Sequence, residues 1–156
     1  MPIVGLDLTD AQIFQGVNLV LPAWLLLILL PRWKFSHSFA TFTAVGFSIL
    51  YTLLFGTLLA QPVGDFSFDK FFTYEGVKDA LSSPEVVLPA WVHYVAFDLF
   101  TAKWMVQDSI PRSIPHLLLV PCLLLTMMLG PMGLLSYFIV RTITGAVRRK
   151  DGTKRN

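Results

Sequence analysis

Four apolar stretches dominate the chain, at residues 10–30, 39–60, 86–107 and 116–140. Each supplies the roughly 20 residues a helix needs to cross about 30 Å of hydrocarbon. The fourth is interrupted by Gly130-Pro131. Charge is too scarce for any other class. The 156 residues are 54% hydrophobic and 14% charged, whereas a typical soluble domain carries about 25% Asp, Glu, Lys and Arg. A water-facing surface cannot be coated with so few, so a soluble globular domain, a disordered chain and a fibre are all excluded. The sequence predicts an all-α integral membrane protein, a four-transmembrane-helix bundle. It forms a single membrane domain over residues 1–156, with an interfacial connector at 61–85 and a basic tail at 141–156.

Local signals fit this division. Thr9 or Asp10 can cap the first helix, and Ser83, Pro84 and Glu85 supply an N-cap, first position and first-turn acid for the third. Pro22, Pro89, Pro121 and Pro131 fall in or beside the spans. Each frees a backbone carbonyl that hydrocarbon cannot satisfy, which favours a packed bundle. Asp7 and Asp10 occupy the place of a basic signal-peptide region and no small-residue cleavage site follows Leu30, so the N-terminus reads as neither secretory signal nor transit peptide. Four crossings put both termini on one side. The tail residues Arg141, Arg148, Arg149, Lys150, Lys154 and Arg155, with Lys70 and Lys78, outnumber Arg32, Lys34, Lys103 and Arg112 opposite. The positive-inside rule then sets both termini on the cytoplasmic or stromal side of a plasma or thylakoid membrane. The tail is read as a topology anchor on membrane lipids.

The connector mixes Phe68, Phe71, Phe72, Val77 and Leu81 with Asp69, Lys70, Glu75, Lys78 and Asp79, the pattern of a short helix lying in the interface. Ala44, Ser48, Thr52, Gly56 and Ala60 recur every four residues, a small-residue stripe that predicts a helix–helix seam. Leu21-Pro22-Ala23-Trp24 reappears as Leu88-Pro89-Ala90-Trp91, a short echo in which each copy begins a helix of the same orientation.

Chemistry concentrates in the third stretch. Asp98 lies near the middle of the span, where a carboxylate costs at least about 2.5–3.5 kcal/mol and is a functional-site candidate by default. Trp91, Tyr94, Asp98 and Met105 share one helical face, while His93, Phe97, Phe100 and Trp104 share another. His93 and Asp98 are about 140° apart on a 3.6-residue helix and cannot bond directly, so both face protein only if this helix sits deep in the bundle. Two readings of Asp98 stand side by side: an active-site acid, or a structural hub tied to Asn18, Ser48, Tyr51 or Thr52. His93 is either a core histidine or a base. Lys103 is placed to snorkel to the interface.

Other chemistries find no support. His37, His93 and His116 lack metal-ligand spacing on any one helix, so no metal is expected. The single cysteine, Cys122, allows no internal disulfide and sits in an apolar run. Walker, GxGxxG, nucleophile-elbow and HExxH motifs do not occur. A net charge of +2, with its basic residues gathered at the C-terminus, does not suggest nucleic acid.

Several runs of residues carry a likeness. Phe71-Phe72-Thr73-Tyr74-Glu75-Gly76-Val77, Ala90-Trp91-Val92-His93 with Asp98-Leu99-Phe100, Lys103 and Asp108, and Gly130-Pro131-Met132-Gly133-Leu134-Leu135 follow one family pattern. The chain resembles the ABA DEFICIENT FOUR-like family, membrane proteins that plants need to make neoxanthin from violaxanthin. The likeness runs from the first helix to the fourth, and Trp-x-His-x4-Asp-Leu-Phe is its most specific part. Lys103 departs from it, because arginine is usual there. Without a transit peptide the chain looks more like the bacterial members or a mature form.

The resemblance implies a cofactor-free isomerisation of a carotenoid or xanthophyll end group, in which a 5,6-epoxide becomes an allenic alcohol. Such a step needs an acid at the epoxide oxygen and a base at the polyene end. Asp98 and His93 are of the right kind, with Trp91, Tyr94, Phe97 and Trp104 packing the polyene. The competing class is a non-catalytic pigment-binding or membrane-complex assembly protein, with a homo-oligomer or another membrane subunit as its partner.

Overall fold

The computed structural model describes residues 9–60 and 67–153. The expectations for residues 1–8, for the first part of the connector (61–66) and for the last three tail residues lie outside the described residues. Among the described residues the fold is all helical: α1 (Asp10–Val17), α2 (Leu21–Leu29), α3 (Lys34–Ala60), α4 (Tyr74–Ser82), α5 (Pro84–Ser109), α6 (His116–Leu129) and α7 (Pro131–Thr153).

Thr9 caps α1 through a reciprocal bond pair with Gln12. A 3-10 turn at Asn18–Val20 joins α1 to α2, immediately before Pro22, which has no N–H to continue the helical ladder. Among the described residues, Asp10–Leu29 and Lys34–Ala60 are the two segments long and apolar enough to cross a membrane. Helix α5 is their central partner, packing against α3, α6 and α2. Val92, Leu99, Ala102, Met105 and Val106 of α5 are fully buried there. The connector forms a 3-10 turn at Phe68–Phe72 and then α4, which packs on that turn and on α5.

Two expectations are corrected. Residues 116–140 are not one crossing helix. Gly130 takes φ +40°, which L side chains rarely adopt, and reverses the chain between α6 and α7. The return is tight: a Cβ on Gly133 would collide with the Thr126 backbone nitrogen. Helix α7 then runs back beside α5. Trp104 packs on Tyr137 at 5.7 Å, Tyr137 bonds Asp108, and Arg148 bonds the Arg112 carbonyl. The physical reason is the Gly-Pro pair, which ends α6 after 14 residues, about 21 Å of helix and short of a bilayer core.

The positions of the ends follow from the same contacts. Phe14 of α1 meets Trp91 near the start of α5 at 6.2 Å, whereas Arg148 of α7 meets the loop after α5. The start of α1 and the end of α7 therefore lie at opposite ends of the bundle. The small-residue stripe also differs from its expected role. Ala44 is buried, but Ser48, Thr52, Gly56 and Ala60 are exposed. The seam of α3 is instead formed by Ser36, Ala40, Ala44, Phe47, Leu54 and Leu58.

Candidate functional site

Asp98 borders a cavity of about 660 Å³ enclosed by three parts of the fold. Phe14, Asn18 and Trp24 come from the α1–α2 segment, Trp91, Tyr94 and Asp98 from α5, and Met127, Gly130 and Pro131 from the α6–α7 reversal. The i, i+3, i+7 spacing of Trp91, Tyr94 and Asp98 puts them on one face of α5, and the parallel course of α1 and α2 supplies the opposite wall. The volume falls in the range of small-molecule pockets, which are apolar with a few placed polar groups.

Asp98 is the one carboxyl among the lining residues. Neither a hydrogen bond nor an ion pair engages it among the described residues. Its position is fixed sterically, since a Cβ on Gly130 would stand 2.7 Å from Asp98 Oδ1. Asn18 and Tyr94 bring further polar atoms to the same space. The hub reading finds no bonds to support it. Ser48 and Thr52 donate to the carbonyls of Ala44 and Ser48 on their own helix, and Tyr51 faces His93.

The remaining residues expected at the site are dispersed. His93 stacks on Phe97 at 4.7 Å and meets the edge of Tyr51 at 5.3 Å, and neither His93 nor Phe97 lines the cavity. His93 is exposed and Phe97 is 60% exposed. The picture of α5 burying both faces is thereby corrected, because the His93–Phe97 flank looks outward beside α3. Trp104 packs between Tyr137 and Phe138 in the α5–α7 seam. Trp91, Tyr94 and Asp98 are brought together; His93, Phe97 and Trp104 are not. Phe14, Asn18 and Trp24 were not singled out as ligand-lining groups. The repeat of Leu-Pro-Ala-Trp was the available signal for Trp24, since both of its tryptophans line the cavity.

A second apolar cavity of about 580 Å³ lies between the α1–α2 segment and α3, with no titratable residue in its lining. It offers shape but no proton chemistry. A separate polar cluster sits at the end of α5, just beyond the stretch 86–107. The Tyr137 hydroxyl donates to Asp108 Oδ2 at 2.7 Å, Arg112 Nε donates to the same oxygen at 2.8 Å, and Arg141 Nε lies 3.5 Å away. Burial would raise the Asp108 carboxyl, but the two hydrogen bonds and both arginines outweigh it and hold the group below its ordinary range. This cluster ties α7 to α5.

A family profile described as ABA DEFICIENT 4-like matches residues 12–137 of the chain. The matched span contains the whole cavity lining. No curated protein and no solved structure matches the chain.

Proposed function

The chain belongs to the ABA DEFICIENT 4-like family, and from that membership we propose a multi-pass membrane protein that acts on the end group of a carotenoid-like molecule in the Asp98 cavity. The α1–α2 segment, α3 and residues 86–107 of α5 are its crossing elements. One observation carries the reading: a single carboxyl without a hydrogen-bond or ion-pair partner among the described residues, in an aromatic cavity large enough for a substituted ring.

The chemistry is an isomerisation of a 5,6-epoxide to an allenic alcohol, which involves no net redox change. Asp98 in its acid form gives its proton to the epoxide oxygen as the C–O bond opens. A proton then leaves the adjacent polyene carbon and the electrons of that C–H bond form the allene. With His93 on the other flank of α5, the second oxygen of Asp98 takes this proton and the carboxyl returns to its starting state. General acid–base assistance of this kind contributes typically 10²–10⁴-fold. Trp91 and Tyr94 hold the ring against Gly130. Phe97 and Trp104 pack away from it. No cofactor enters the scheme.

A second reading is favoured by the outward flank. Exposed Phe97 and His93 beside Tyr51 form an aromatic surface suited to a pigment or to another membrane subunit, without catalysis. Pigment analysis separates the two. In a bacterial host accumulating epoxy-xanthophylls, the wild type is expected to yield an allenic product. Asp98→Asn is expected to yield none while remaining in the membrane, and His93→Ala to retain the product. An unchanged pigment profile with wild-type protein in the membrane would move the function to binding or assembly.

A further inference from the structure

The reversal at Gly130 changes where every charged segment lies. Arg32 stands in the α2–α3 turn, Lys34 begins α3 and Arg112 lies in the α5–α6 loop, while Arg141 and Arg148 ride on α7 as it returns to that same end, followed by Arg149 and Lys150. At the opposite end lie Asp10, Asp69, Glu75, Asp79 and Glu85, with Lys70 and Lys78 the basic residues among the described ones. Had residues 116–140 crossed as one helix, this separation of sign would not exist. The α6–α7 hairpin produces it, and Arg148 Nη1 on the Arg112 carbonyl, at 2.6 Å, fixes it.

We propose that the arginine-bearing end of the bundle is an interaction surface for the anionic headgroups of the cytoplasmic leaflet, reached by residues 116–153 as a re-entrant hairpin. The start of α1, α4 and the connector then face the other side. Taken over the described residues the charge distribution meets the positive-inside rule, with Lys70 and Lys78 the basic residues on the other side, and anionic lipid complements the surplus of arginine over acid at that end. The irregular backbone at Gly130 is compatible with membrane depth because it is buried against Asp98 and α5 rather than exposed to lipid. The Phe14–Trp91 wall of the Asp98 cavity accordingly lies toward the non-cytoplasmic side.

This inference rests on the membrane reading above, and the experiment distinguishes the two. Ser82→Cys, Ser113→Cys and Gly152→Cys are made singly in a Cys122→Ala background, expressed in bacterial cells, and treated with a membrane-impermeant maleimide before and after permeabilisation. Ser82→Cys is expected to label in intact cells, and Ser113→Cys and Gly152→Cys only after permeabilisation. Labelling of Ser82→Cys and Gly152→Cys from one side and Ser113→Cys from the other would overturn the hairpin. Labelling of Ser113→Cys and Gly152→Cys in intact cells, with Ser82→Cys protected, would overturn the assignment of the basic end to the cytoplasmic leaflet. Release of the protein by alkaline carbonate would overturn the membrane reading itself, and the inference with it. In a variant with Arg149→Gln and Lys150→Gln beside Arg148→Gln, part of the Ser113→Cys population is expected to label in intact cells. Full retention of the single orientation there would overturn the role given to these charges.

Discussion

A methyl group at position 130 would meet Asp98 Oδ1 at 2.7 Å and impose a side chain on a backbone at φ +40°. Gly130→Ala is therefore expected to lose about 1–2 kcal/mol of stability from the left-handed conformation and to push the Asp98 carboxyl out of register. In the pigment assay its product should fall at least about tenfold, the effect of a displacement near 1 Å or less. Undiminished product from a folded variant would show that the carboxyl position is not critical. Asp98 itself was legible in the sequence, because a carboxylate so deep in an apolar run has few innocent explanations. Gly130 was legible only as an interruption. Helical periodicity gives the angle of a residue about its own axis but not the neighbour it meets, so the pairing of Gly130 with Asp98, and the separation of His93 from the cavity, required the fold.

Helix α7 is held to α5 by one acid and several donors, and that arrangement sets a pH dependence. Asp108 has a lowered pKa in the folded protein, so its contribution is fully present above the unfolded value of about 3.9 and is lost as pH falls through the lower folded value. Thermal unfolding in detergent should show this acid limb, and Asp108→Asn should remove it. At neutral pH the same variant weakens the bonds to Arg112 and the buried Tyr137 hydroxyl, which should destabilise the protein by about 1–3 kcal/mol. Helix α3 gives the converse prediction. Nothing lies within 4 Å of a Cβ on Gly56, so Gly56→Leu should change stability by no more than about 0.5 kcal/mol; a large loss would reveal a neighbour on that face. The small-residue period was a genuine sequence signal, but it runs every fourth residue. The buried stripe of α3 advances by both threes and fours, which follows the 3.6-residue turn, and only Ala44 belongs to both.

On the scale of the whole molecule, the cavity couples three separate stretches of chain, and a ligand filling it should stabilise all of them together. An epoxy-xanthophyll at a hundred times its dissociation constant would add about 2.7 kcal/mol, read as a rise in Tm. Val95→Trp, which introduces an indole at a lining position, should abolish that rise. An equal rise in the variant would place the ligand elsewhere. The helical class and the two long apolar segments of α1 to α3 were legible from apolar runs alone, because length and hydropathy are properties of the sequence. The path of residues 116–153 was not. A Gly-Pro break can kink a helix or reverse it, and the choice is made by Thr126 close against Gly133 and by Asp108 bonded to Tyr137, 29 residues along the chain.

The floor at Gly130 and Pro131 also orders the events of biosynthesis. The walls contributed by Phe14, Trp24 and Asp98 leave the ribosome first, yet the pocket has no base until the chain has turned at residue 130 and α7 has settled along α5. A nascent chain has its Asp98 carboxyl well before it can enclose anything, and the reversal at Gly130 and Pro131 converts an open groove into a vessel.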